Sequence, residues 1–190
     1  MNRLRWVVLL VGALSVLALV LFSGLGLFRS TRARVASLPT TAAAASNGPA
    51  AAALARGDAA FENGDYVAAI AAYSDAITLK PDFAEAYNNR GLAHYRLNDS
   101  EAALADYNRA LSLRPDYAYA LTNRAILIYD TGDYTAVIAD TSRAVELDPD
   151  DDSAYVFRGN AYLRVGDYTR ALADMLKANS IRMQRRTDGL

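Results

Sequence analysis

Four arginines recur at one constant interval, at Arg56, Arg90, Arg124 and Arg158. Each offers a planar fork of N–H donors, so a ladder of them has the chemistry to hold an anionic ligand. The chain also supplies an answering set of carboxylates. Asp106, Asp140 and Asp174 follow the last three of these arginines at one fixed distance along the chain, whereas Ala72 holds the corresponding place after Arg56. Groups so spaced neutralise each other within one unit, and we read Arg90 with Asp106, Arg124 with Asp140 and Arg158 with Asp174 as structural ion pairs. Burial would make breaking one costly, by roughly 3 kcal/mol. Arg56, with no aspartate at that spacing, is the arginine left for a ligand.

Other reactive chemistry is sparse. His94 is the single histidine and there is no cysteine, which removes thiol catalysis, disulfides and thiolate metal sites and leaves His94 no fellow ligand. It is expected to be a core histidine. Asp148, Asp150, Asp151 and Asp152 surround Pro149. That acidic run could hold calcium, but its place between helical segments favours a solvated turn and N-cap. No strand pattern exists to present a Gly-rich phosphate loop. The expectation is a non-enzyme with no metal and no cofactor.

The elements that place these residues follow one period. Pro81, Pro115 and Pro149 recur at the same interval as the arginines, and each precedes an aspartate. Four frames follow, 50–83, 84–117, 118–151 and 152–185. Their eighth positions are small (Gly57, Gly91, Ala125, Gly159), as are their twenty-seventh (Ala76, Ala110, Ala144, Ala178). Between them Gly64-Asp65, Asn98-Asp99, Gly132-Asp133 and Gly166-Asp167 supply a residue tolerant of positive φ and then an N-cap. Asn98 fits this rule because Asn is the other residue that visits the left-handed region. Tyr66, Ala69, Ile70, Tyr73 and Ile77 form an apolar stripe of helical period. A helix pair this small cannot bury its stripe alone, so successive pairs must stack. First helices are expected near 50–63, 84–97, 118–131 and 152–165.

This spacing, with the segment Ala84-Glu-Ala-Tyr-Asn-Asn-Arg-Gly-Leu-Ala-His-Tyr and the closing Ala110-Leu-Ser-Leu-Arg-Pro115, resembles the tetratricopeptide-repeat family. The resemblance implies an all-α fold, a right-handed α-solenoid of four helix-turn-helix repeats over 50–185, with a C-terminal tail at 186–190. The fourth copy departs where Met183 replaces the proline. In the family, positions 2, 5, 9, 12 and 13 of each first helix line a concave groove. Carried onto this chain, the resemblance implies a partner-binding groove of Phe61, Asn88, Tyr95, Arg96, Thr122, Ile126, Tyr129, Asn160 and Leu163. Such aromatics among amides and charges suit an extended peptide or a partner helix; alternatively they pack the groove's own wall. The family's chaperone-tail binders use Lys and Asn as a carboxylate clamp at positions 5 and 9. Leu54 with Asp58 and Asn88 with Leu92 stand there, so that clamp is not expected.

Ahead of the repeats, the stretch from Trp6 to Phe28 holds no charge. As a helix it would reach roughly 34 Å, against a bilayer core of about 30 Å. We expect 1–30 to be an uncleaved transmembrane signal-anchor, its core longer than that of a cleaved export signal. The alternatives are cleavage after export, or repeats facing the cytoplasm. Arg3 and Arg5 on one side balance Arg29, Arg32 and Arg34 on the other, so charge does not orient it; the short tail favours periplasmic repeats. Thr31 to Pro49, rich in Ala, Ser and Thr, reads as a flexible linker. Beyond it lie 15 basic against 21 acidic residues, a formal charge of −6, which argues against nucleic acid as a partner. The expected function is a membrane-tethered scaffold or adaptor for a peptide or protein in the cell envelope. The alternatives are a self-associating oligomer through an uncapped last repeat, exposing Leu172, Met175 and Leu176, or a cytoplasm-facing docking receptor.

Overall fold

A computed structural model of the chain describes residues 48–189. The span expected at 6–28, and the linker as far as 47, lie outside the described residues. Eight helices follow: α1 Pro49–Glu62, α2 Tyr66–Leu79, α3 Ala84–Arg96, α4 Ser100–Leu113, α5 Ala118–Tyr129, α6 Tyr134–Leu147, α7 Asp152–Arg164 and α8 Tyr168–Asp188. Among the described residues there is no strand, and no helix is long and apolar enough to cross a membrane. Pro49, read as the end of the linker, is instead the first residue of α1. A proline is preorganised for that position, where its missing N–H is not needed.

Local chemistry starts and stops each helix. Asp65, Asp99, Asp133 and Asp167 cap α2, α4, α6 and α8, each accepting a backbone N–H three residues on. The residue before each takes positive φ: Gly64 at 78°, Asn98 at 61°, Gly132 at 85° and Gly166 at 83°. Ahead of each proline the chain turns extended, with φ of −141° at Lys80, −140° at Arg114 and −133° at Asp148. Proline's ring disfavours helix in the residue before it. Met183 imposes no such stop, and α8 runs on past Arg185 to Asp188.

The helices pair in sequence as four hairpins, each packing on the next. Ala69, Ala76, Ala103, Ala110, Ala144 and Ala178 are fully buried between helices, with Tyr73 and Tyr107 the largest enclosed side chains. First helices of successive hairpins touch, α1 with α3, α3 with α5 and α5 with α7, whereas successive second helices make no comparable contact. The first helices therefore lie on the inner side of the array. They carry every residue assigned above to the groove.

Candidate partner-binding face

The arginine ladder is spent inside this scaffold. Arg90 donates through Nε and Nη2 to both oxygens of Asp106 at 2.8 and 2.7 Å. Arg124 does the same to Asp140 at 2.7 Å for both bonds, and Arg158 to Asp174 at 2.8 and 2.7 Å. Each third nitrogen reaches back to the preceding hairpin: Arg90 Nη1 to Ser74 Oγ, Arg124 Nη1 to Asn108 Oδ1, Arg158 Nη1 to Ser142 Oγ. The bidentate bonds to the aspartates hold all three guanidinium groups above their ordinary pKa. Each arginine thus ties its own hairpin together and links it to the one before. Arg56 was expected to be free and is not. It donates to Asp75 at 2.8 Å in an exposed pair, because Asp75 lies one turn beyond Ala72 and the long side chain spans the difference.

Two residues expected on the groove surface are buried links. Asn88 is 4% exposed. Its amide donates to Asn89 Oδ1 and its oxygen accepts from Asn123 Nδ2. Thr122 is 5% exposed and donates to Asp151 Oδ2 at 2.7 Å. Buried polar groups must be hydrogen-bonded, and both find partners on another hairpin or the turn before it. Asn89 continues the chain, donating to Asp58 Oδ1, which also accepts from Tyr73 Oη at 2.9 Å. Partial burial raises the Asp58 carboxyl above its ordinary pKa, opposed by the Tyr73 and Asn89 hydrogen bonds. Burial, with the Asp58 charge beside it, also raises the Tyr73 phenol. This relay from Asp58 to Asn123 was not read from the sequence. Its signal was the asparagine at Asn89, which recurs one period later at Asn123.

The remaining groove residues are half-buried on the inner side. Phe61 meets Tyr66 edge to face at 5.1 Å, and the Arg96 guanidinium lies 5.9 Å from its centroid. Tyr95 packs against Ala103, Tyr107 and Leu127. Tyr129 sits between Tyr134 at 5.4 Å and Phe157 at 5.7 Å; Phe157 had not been singled out. Burial raises the Tyr129 phenol. Ile126, Asn160 and Leu163 are also half-buried. The aromatics therefore pack their own wall with one side and keep part of their surface in solvent. Glu62, Arg96, Asp130 and Arg164 alternate in sign beside them, and Arg164 lies 4.8 Å from the Tyr134 ring centroid.

His94 is only half-buried, its Nδ1 3.3 Å from Asp99 Oδ2 at the α3–α4 turn, and is not part of the core. The acidic run is also engaged. Asp151 caps α7 through the Ser153 and Ala154 amides, and burial raises its pKa. Asp152 takes Arg182 and Arg185 from α8. Among the described residues no group of acidic and histidine side chains is arranged to hold a metal ion.

Family models match three stretches: one described as TPR repeat at 57–98, and two described as tetratricopeptide repeat at 84–117 and 122–182. No curated protein sequence matches. Among solved structures, a crystal structure of MamA is 23% identical with a TM-score of 0.65, over 73% of this chain and 81% of that one. The first TPR of Spaghetti (RPAP3), bound to the HSP90 peptide SRMEEVD, is 24% identical with a TM-score of 0.59, over 61% of this chain and 94% of that one. The Arabidopsis OM64 TPR domain is 24% identical with a TM-score of 0.58, over 60% of this chain and 94% of that one. At these identities the likeness is one of fold.

Proposed function

Because this chain belongs to the tetratricopeptide-repeat family, whose members are in general non-catalytic mediators of protein–protein contact, we propose that it is an adaptor binding a peptide or helix of a partner protein on its inner face. The observation that carries this reading is the row of half-exposed apolar side chains on successive first helices, Phe61, Tyr95, Ile126, Tyr129 and Leu163, flanked by charges of alternating sign. Aromatic surface left half wet at fixed spacing suits anchor residues repeated along a partner segment. The partner's chemistry differs from that of the HSP90 peptide bound by the Spaghetti repeat. Leu54, Asp58, Asn88 and Leu92 occupy the family's clamp positions, and an aspartate there opposes a terminal carboxylate.

The tether belongs to the same proposal. Residues 6–28 anchor the repeats to a membrane, with 31–48 as linker and the repeats on the periplasmic side; support for the anchor comes from the uncharged run, which is long enough to cross a bilayer core. Protease protection of the repeats in intact cells, and its loss on opening the outer envelope, checks the orientation. The binding reading is tested by proximity labelling from the full chain, repeated with Tyr95→Ala and Tyr129→Ala. Loss of specific neighbours supports the groove; an unchanged set of neighbours overturns it.

A further inference from the structure

The last hairpin presents an outward face unlike the other three. On α2, α4 and α6, the residues that accept from the next hairpin's arginine are Ser74, Asn108 and Ser142. The equivalent residue on α8 is Leu176, 61% exposed. Ile70, Leu104 and Ile138 are half-buried in hydrophobic clusters; their counterpart Leu172 is 45% exposed. One turn further on the exchange runs the other way, and the apolar Ile77, Leu111 and Val145 give way to the amide of Asn179. This surface is apolar where a following repeat would need a polar acceptor, and polar where that repeat would need an apolar contact. It is not shaped for a fifth hairpin of the same kind.

The stripe has an internal symmetry instead. Val165, Tyr168, Leu172, Met175, Leu176, Asn179, Met183 and Arg186 recur at helical spacing along one side of α8 and the turn before it. Val165 with Arg186, Tyr168 with Met183, Leu172 with Asn179 and Met175 with Leu176 are all centred on the same point, between Met175 and Leu176. A stripe whose spacing reads the same from both ends can lie on a copy of itself in antiparallel register, which is what a two-fold axis requires. The seven residues by which α8 exceeds its 14-residue counterparts supply Met183 and Arg186 and so complete the pattern.

We infer that the exposed stripe of α8 is a homodimer interface, in which α8 packs antiparallel against α8 of a second copy about an axis between Met175 and Leu176. Tyr168 then meets Met183 of the second copy, a pairing of ring and thioether. Leu172 faces Asn179 of the second copy, and that amide lies one turn from the Tyr168 hydroxyl, a polar partner within its reach. A single amide in an apolar seam fixes register, because sliding the helices would separate it from its partner. Thr169 and Ser180, small and uncharged, border the stripe, leaving the helices free to approach to about 8–10 Å. Helix dipoles agree with this direction, because antiparallel packing of α8 on its copy sets the N-terminal end of each helix beside the C-terminal end of the other. The interface involves no groove residue, so this inference and the adaptor reading stand or fall separately.

The absence of native cysteine makes a positional test clean. Single-cysteine variants of the full chain are purified in detergent and oxidised under identical conditions. Leu176→Cys sits beside the axis and is expected to give a disulfide dimer at least tenfold faster than Tyr168→Cys, which in this register lies roughly 22 Å along the helix from its own mate. Mixing Tyr168→Cys with Met183→Cys chains is expected to yield the mixed dimer in preference to either like dimer. Adding Tyr95→Ala to Leu176→Cys is expected to leave its cross-linking rate unchanged. Equal rates for Leu176→Cys and Tyr168→Cys, or no preference for the mixed dimer, overturn the proposal.

Discussion

Gly91 lies so close beneath the Tyr107 ring that a Cβ added to it would stand 2.9 Å from the ring's Cε1. The first hairpin repeats this contact between Gly57 and Tyr73, at 2.4 Å. In the third, Ala125 occupies the glycine's place and Thr141 the tyrosine's, so the larger inner residue comes with a smaller outer one. Gly91→Ala alone should overpack the hairpin and destabilise it by about 1–3 kcal/mol. Combined with Tyr107→Thr it should cost less than the sum of the two single changes, by about 0.5–3 kcal/mol. Urea unfolding of the four proteins measures the coupling, and additive costs would remove the argument.

The arginine pairs should divide sharply by burial. Asp140→Ala strands the Arg124 guanidinium, which also holds Asn108 on the preceding hairpin, and should cost about 3 kcal/mol. Arg56→Ala breaks the exposed pair with Asp75 and should change stability by less than about 1 kcal/mol. Denaturant midpoints distinguish the two, and a comparable loss in both would mean that burial does not govern these pairs.

Asp58 makes a prediction about pH. Partial burial raises its carboxyl above the ordinary value of 3.8 in the folded chain. The folded state therefore holds this proton more tightly than the unfolded state, and ionisation costs stability above the folded pKa. Asp58→Asn keeps Oδ1, the atom that accepts from both Tyr73 and Asn89, and removes the charge. The variant should be more stable than the parent at neutral pH. That advantage should shrink as pH falls through the raised pKa and level off below 3.8. Asp151 shifts in the same direction in both proteins and cancels in the difference. Thermal unfolding from neutral to acid pH is the measurement, and a difference that widens on acidification contradicts the burial argument.

Much of this molecule is local, and the local part was legible. Asp65, Asp99, Asp133 and Asp167 cap helices from within three residues, Asn98 and the glycines before the other caps set the turns, and each proline stops the helix before it. These are choices of backbone conformation made within a few residues, so the repeating sequence displays them. The apolar stripes add that hairpins must stack, because no single pair can bury its own surface. Only the tertiary structure decided which polar side chains the stacking consumes. Asn88 bonds to Asn123, 35 residues away, Thr122 to Asp151, 29 away, and Arg56 to Asp75, 19 away where Arg90 and Asp106 are 16 apart. Those partners depend on the offset between neighbouring helices, a rigid-body quantity that no single repeat encodes. The same offset buries Ile70, Leu104 and Ile138 beneath the following hairpin and leaves Leu172 and Leu176 in solvent at the end of the array.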